Sequence, residues 1–277
     1  MSVSLFGRLS QITCRILAND GRGGRQVGTG FFYSFDNGGQ PAMILVTNRH
    51  VLEGMADAQL VFSQADEGGR ARPNAHEILR VLNLPSIVTY HPDPRIDLAC
   101  FGVGEVFSIF AQKGLKHLIT ALEEKNIPSG DANLSAVEEI LMVGYPTGLF
   151  DSTHNRPIIR RGITASDYNL DYCGRPEFLI DAACFPGSSG SPVVIANEGA
   201  YSQGEILTVG TRFYFLGVLW GGPQFSASGA IEPVPIPTAI GAIARMSIPM
   251  NLGFCIKARE INALVQAAIA GQKPTAA

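Results

Sequence analysis

The chain has 277 residues, 46% of them hydrophobic, with 21 basic and 24 acidic side chains and a formal net charge of -3. That near-neutral balance gives no general attraction to nucleic acid or to an anionic membrane, while the apolar content suffices for one large core or two small packed domains. The start, MSVSLFGRLSQITCRIL, lacks a basic segment followed by an unbroken apolar run, so it does not read as a secretory leader, and no apolar run reaches spanning length.

In chain order, the first half offers the β-rich runs ITCRILA, VGTGFFYSF, AMILVTN, AQLVFSQ, HEILRVLNL, SIVTYH and DLACFGV. Gly, Pro, Asn and Asp clusters separate them, and the number suits one small barrel. Between residues 111 and 125, Leu115, Leu118, Ile119 and Leu122 follow helical spacing and predict a connector helix. The loop NIPSGDANLSA then leads to a second β-rich half: EEILMVGYP, RPIIRRGITAS, EFLIDAAC, SPVVIA, EILTVG, FYFLGVLW and NLGFCIKA. Residues 223–250, rich in Gly, Pro and Ala, read as a long irregular insertion. At the end, Ile261, Leu264, Val265, Ala268 and Ile269 predict an amphipathic helix that stops at Gly271. The expected architecture is all-β: two antiparallel barrels, residues 1–125 with the connector helix and residues 126–277 with the C-terminal helix.

Five scattered cysteines (Cys14, Cys100, Cys173, Cys184 and Cys255) are an odd number and read as reduced thiols, which points to a cytoplasmic setting. No two Cys or His residues stand at ligand spacing, so neither a metal nor another cofactor is expected.

The stretch FPGSSGSPVV, residues 185–194, sets three serines among glycines ahead of a strand. A serine hydroxyl becomes a useful nucleophile when a base takes its proton and a third group orients that base. His50 follows the run AMILVTN at a short turn, and Asp97 stands immediately before another apolar strand, where a carboxylate can be held at the edge of a core. The order His50, Asp97, Ser189 excludes an α/β-hydrolase elbow, which needs Gly where Ser191 stands and a different order of partners. Gly187 and Gly190 allow the sharp turn that aims the amides of Gly187 and Ser189 at a developing oxyanion. Ser188 and Ser191 are the poorer candidates.

These residues resemble the chymotrypsin-fold serine proteases. TNRHVLEG is similar to the family's histidine segment, RIDLACF to its aspartate segment and GSSGSP to its serine box. The nearer likeness is to bacterial trypsin-like peptidases and high-temperature-requirement proteases, since GTGFFYS, VGYPTGLFD, IIRRGITAS and LGVLWGG fall in the same order over about residues 10–257. The resemblance implies two six-stranded barrels and a serine endopeptidase that acts on protein or peptide substrates. It also implies a P1 pocket built from Ala183, Cys184, Trp220, Gly221 and Gly253, with no acid at its base. A small or medium apolar P1 residue is the expectation, with Asp181 read as structural.

Ser188 stands where secreted relatives carry the aspartate that captures a new amino terminus, so no activation switch of that kind is expected. No PDZ-like extension is expected from the residues after the second half. The competing readings are a catalytically silent or partner-activated binding module, in which a regulatory protein governs the site, and an esterase using the same three residues.

Overall fold

A computed structural model of the chain describes residues 4–130, 132, 134–203, 206–229 and 244–272. The first half runs through α1 (Leu5–Leu9), β1 (Thr13–Asn19), β2 (Arg25–Asp36), β3 (Pro41–Thr47), α2 (Arg49–Leu52), β4 (Asp57–Ala65), β5 (Ala71–Val81), α3 (Leu84–Ile87), β6 (Thr89–Tyr90), β7 (Ala99–Gly102), α4 (Gly104–Gln112) and β8 (Leu122–Glu123). The second runs through β9 (Glu139–Gly144), β10 (Ile158–Thr164), β11 (Glu177–Asp181), β12 (Pro192–Asn197), β13 (Ala200–Gln203), β14 (Ile206–Val209), β15 (Arg212–Gly221), β16 (Gln224–Gly229), β17 (Ala244–Pro249), β18 (Leu252–Lys257) and α5 (Glu260–Gln272).

The second half contains a closed six-stranded barrel in the order β10-β11-β18-β15-β12-β9. The first half is an eight-stranded sheet in the order β5-β4-β1-β2-β3-β7-β6, with β8 parallel to β2. Its strand count exceeds the expected six, and among the described residues no pairing joins β5 to β6. The chymotrypsin-like double-barrel plan therefore holds, with one barrel closed by hydrogen bonds and the other partly open.

Alternation along the strands sorts side chains into three cores. On β2, Phe31 and Tyr33 enter a core shared with Val143, Val194, Phe215 and Ile256 of the second barrel and with Ile261 and Leu264 of α5. Phe32, one residue out of phase, faces the first sheet's own core with Leu45, Leu60 and Phe101. On β12 the same rule sends Val193 and Ile195 into the second barrel and Val194 into the shared core. Phe31 and Phe215 meet edge to face across the junction, their ring centroids 5.2 Å apart.

Three local expectations are corrected. The helix placed at residues 111–125 lies earlier, at Gly104–Gln112, because Gly114, at φ +64°, ends it. The Gly114 amide donates to Ala111 and that of Leu115 to Phe110, the paired bonds of a Schellman stop. Leu115 and Ile119 pack on the first core from the segment after the helix, and Leu122 enters the shared core from β8. The run EILTVG does not join the barrel: among the described residues β14 pairs only with β13, leaving Ile206, Leu207 and Val209 exposed. Finally, the ends of the insertion are regular, since β16 and β17 pair as an antiparallel ribbon; residues 230–243 between them lie outside the described residues.

Phe215→Ala empties the shared core at the junction and should cost about 3–5 kcal/mol. Urea denaturation followed by fluorescence and circular dichroism checks this. A loss below about 1 kcal/mol would show that the junction is not a packed core.

Candidate active site

The ends of two adjacent strands bring His50 and Asp97 together. β3 and β7 pair antiparallel with Thr47 opposite Ala99, so the chain leaving β3 lies beside the chain entering β7. His50 is in the single turn of α2, three residues beyond β3, and Asp97 lies two residues before β7. One Asp97 oxygen, Oδ2, is 2.5 Å from His50 Nδ1, while the other, Oδ1, accepts the His50 amide at 2.9 Å. The buried Asn48 side chain donates to the Asp97 carbonyl at 2.8 Å. With Nδ1–H donated to Asp97, Nε2 is left as the accepting nitrogen.

The loop between β11 and β12 carries the serines. Ser188 and Ser191 are buried at 1% and 0% exposure, whereas Ser189 is half-buried, so only Ser189 is open to an incoming group. Gly190 adopts φ +87°, and a Cβ there would stand 2.0 Å from the Thr29 carbonyl oxygen and 2.6 Å from the Thr47 hydroxyl. The loop is thereby packed against the strand end that leads to His50. Gly187, at φ +86°, fits as closely, since a Cβ would lie 2.7 Å from the Tyr145 carbonyl. Among the described residues, Ser189 Oγ and His50 Nε2 take part in no hydrogen bond.

The loop amides alternate in a way that matters chemically. Ser188 N–H donates to the Phe185 carbonyl at 3.0 Å and Gly190 N–H to the Leu219 carbonyl at 2.8 Å. The amides of Gly187 and Ser189 have no acceptor among the described residues. The Pro186 carbonyl accepts the Thr147 amide at 2.5 Å and the Ser188 carbonyl that of Ser191 at 3.0 Å. In trans peptides these contacts fix the direction of the Gly187 and Ser189 N–H groups. Two free donors on one turn, beside the accessible hydroxyl, can stabilise an oxyanion.

Beside Ser189 is a cavity of 150 Å³ lined by Cys184, Leu219, Gly221, Pro223 and Leu252 among others. Of the residues expected at a P1 pocket, Cys184 and Gly221 line this cavity, while Ala183, Trp220 and Gly253 do not. Gly253 lies behind the wall, where a Cβ would stand 2.7 Å from Cys184 Sγ. Trp220 stacks on Phe254 at 5.7 Å, with the Arg175 guanidinium 5.8 Å from its ring. Asp181 is exposed and outside the lining. Burial pushes the Cys184 thiol up to about 11, against the pull of the Arg160 charge. A larger cleft of 710 Å³, between β2 and α5, contains neither His50 nor Ser189.

Leu219 and Leu252 were not singled out in the sequence, although both stand in runs read as strands. Nor were Thr29 and Thr147, whose contacts reach the serine loop. The flanking glycines of GTG and the turn signal in YPTG were the available hints.

Fold and junction together define a chymotrypsin-like serine protease. A match to the trypsin-like peptidase domain spans residues 28–201, and the chain belongs to that family of serine endopeptidases. No curated protein matches the chain. Among solved structures it is similar to the thermostable serine protease AL20 from an extremophilic microorganism, with TM-score 0.53 and 13% identity over 95% of this chain and 99% of that one. Protease Anisep from Arthrobacter nicotinovorans gives 0.51 and 13%, covering 94% and 96%. The serine endoprotease from Yersinia pestis gives 0.50 and 14%, covering 98% and 68%. At these identities the likeness is one of fold. No helix among the described residues is long and apolar enough to cross a membrane.

Gly190→Ala forces a side chain into a left-handed position against the Thr29 carbonyl and should cost about 3 kcal/mol or more, read by thermal unfolding. An unchanged melting temperature would contradict the packing of the loop. Iodoacetamide should modify exposed Cys173 before Cys184, whose thiol stays protonated until the pH approaches about 11. Mass spectrometry of the labelled peptides checks the order.

Proposed function

We propose that the protein hydrolyses peptide bonds through His50, Asp97 and Ser189, by way of an acyl-enzyme. The observation that carries this reading is the double hold of Asp97 on His50, at the ring and at the amide, next to a loop in which Ser189 is the accessible serine. Ser189 Oγ attacks the scissile carbonyl carbon while His50 Nε2 takes the hydroxyl proton. The carbonyl oxygen becomes an oxyanion facing the Gly187 and Ser189 amides. His50 then gives the proton to the leaving amine, and water, activated by the same imidazole, releases the acid product. Asp97 holds the tautomer and stabilises the imidazolium.

The substrate class is protein or peptide, bound at the cavity that adjoins Ser189. The 150 Å³ cavity, walled by Cys184, Leu219 and Leu252, fits a small or medium apolar P1 side chain and offers no acid to a basic one. A cytoplasmic setting is consistent with the free thiols: burial pushes Cys14 and Cys100 up to about 12, far from the reactive range.

One observation favours a second reading, a partner-activated site: Ser189 and His50 are not hydrogen-bonded to each other. A fluorophosphonate probe separates the two. Labelling of the isolated wild type and not of Ser189→Ala supports the triad; no labelling of the wild type favours the partner-governed module. Asp97→Asn should leave the fold intact and lower kcat by about 10⁴-fold. Turnover of P1 Ala, Val and Leu peptides should exceed that of P1 Arg and Asp peptides, and the reverse would overturn the pocket assignment.

A further inference from the structure

We propose that Thr29 is the positioning residue that prepares the serine loop, so that no activation carboxylate is needed at position 188. The inference rests on the triad reading of Ser189 and adds how the two peptide planes that alternate with its oxyanion donors are held.

Thr29 is fully buried on β2, across the junction from the barrel that carries Ser189. Each of its polar groups is engaged. Its N–H donates to the Ser189 carbonyl at 2.9 Å, and its own carbonyl accepts the Thr47 hydroxyl at 2.7 Å. Its hydroxyl accepts the Tyr145 amide at 3.1 Å and donates to the Gly187 carbonyl at 3.1 Å. An amide can only donate, so the single hydroxyl proton is directed to Gly187. One side chain thus orients a peptide plane of the serine loop and, through its backbone amide, the plane that follows Ser189.

The consequence appears when the loop carbonyls are taken in turn. Pro186 is held by Thr147, Gly187 and Ser189 by Thr29, and Ser188 by Ser191. All the carbonyls from 186 to 189 are occupied, so none is free to turn into the oxyanion site. Ser188 does not supply this control, because its hydroxyl is buried with no partner among the described residues. Gly144 permits the approach: a Cβ there would stand 2.8 Å from the Thr29 hydroxyl. Removing the hydroxyl leaves the Gly187 carbonyl and the Tyr145 amide unpaired, and the Gly187–Ser188 peptide is then held only on its N–H side, by the Phe185 carbonyl.

A purely structural bond would behave like that of Thr164, which is equally buried, accepts the Glu138 amide and donates to the Ala136 carbonyl. The test compares Thr29→Val, Thr29→Ser and Thr164→Val by peptide turnover, melting temperature and hydrogen exchange of the segment 185–191. Thr29→Val should lower kcat at least about 10-fold while KM stays within about 2-fold, a fraction of what loss of an oxyanion donor costs. Thr29→Ser should return kcat to within about 3-fold of wild type, since it keeps the hydroxyl. Exchange at 185–191 should rise in Thr29→Val only, and Thr164→Val should lose melting temperature with kcat unchanged. Thr29→Ala removes the same hydroxyl where valine prevents folding. An unaltered kcat and exchange in both hydroxyl-free variants would overturn the proposal, as would an equal loss of kcat in Thr164→Val. A wild type without Ser189-dependent turnover would defeat the triad reading instead, and the exchange comparison would then decide the role of Thr29.

Discussion

A peptide carbonyl that is already hydrogen-bonded is held in place, and the chemistry proposed for this protein depends on that constraint over four consecutive residues. From Pro186 to Ser189 every carbonyl accepts from a donor outside its own peptide unit, and the amides of Gly187 and Ser189 are left without an acceptor among the described residues. The proposed oxyanion donors are a remainder of this pairing. Gly187 and Gly190 make the turn possible at positive φ, and the donors that lock it come from β2, from the turn after β9 and from the loop itself.

Such a lock requires two sheets held in fixed relation. The core shared by Phe31, Val194, Phe215 and α5 does this, because side chains of alternate phase on β2 and β12 enter it from both halves. Thr29 lies on the same strand as Phe31, two residues away, so the packing that anchors the junction also anchors the hydroxyl that reaches Gly187. His50 and Asp97 need only the neighbouring ends of β3 and β7 in the first sheet. The residues proposed for catalysis, His50 with Asp97 and Ser189, are therefore positioned by separate halves, and the junction sets the distance between them.

Much of this was legible in the sequence, for physical reasons that differ between elements. The strands around Phe31 and Val193 announce themselves as apolar, β-rich runs bounded by turn residues, and α5 does so by its Ile261, Leu264, Val265 and Ala268 face. The serine loop was legible as a tight turn because Gly187 and Gly190 stand directly ahead of an apolar strand run. The connector helix was misplaced because Leu115, Leu118, Ile119 and Leu122 keep helical spacing while Gly114 had already ended the helix. The β14 run carries a strand pattern, and a pattern names no partner, so its pairing with β13 outside the barrel could not be read. Thr29 was invisible for a related reason: its partners in the second half, Tyr145, Gly187 and Ser189, lie more than a hundred residues away, and a threonine between glycines in a strand has no signature of its own.

The most direct measurement of the account is a crystal structure of the protein with Ser189 phosphonylated. The account predicts a phosphonyl oxygen between the Gly187 and Ser189 amides, with Thr29 still donating to the Gly187 carbonyl and Thr147 to that of Pro186. A loop in which either carbonyl has turned away from its donor to admit the adduct would contradict it.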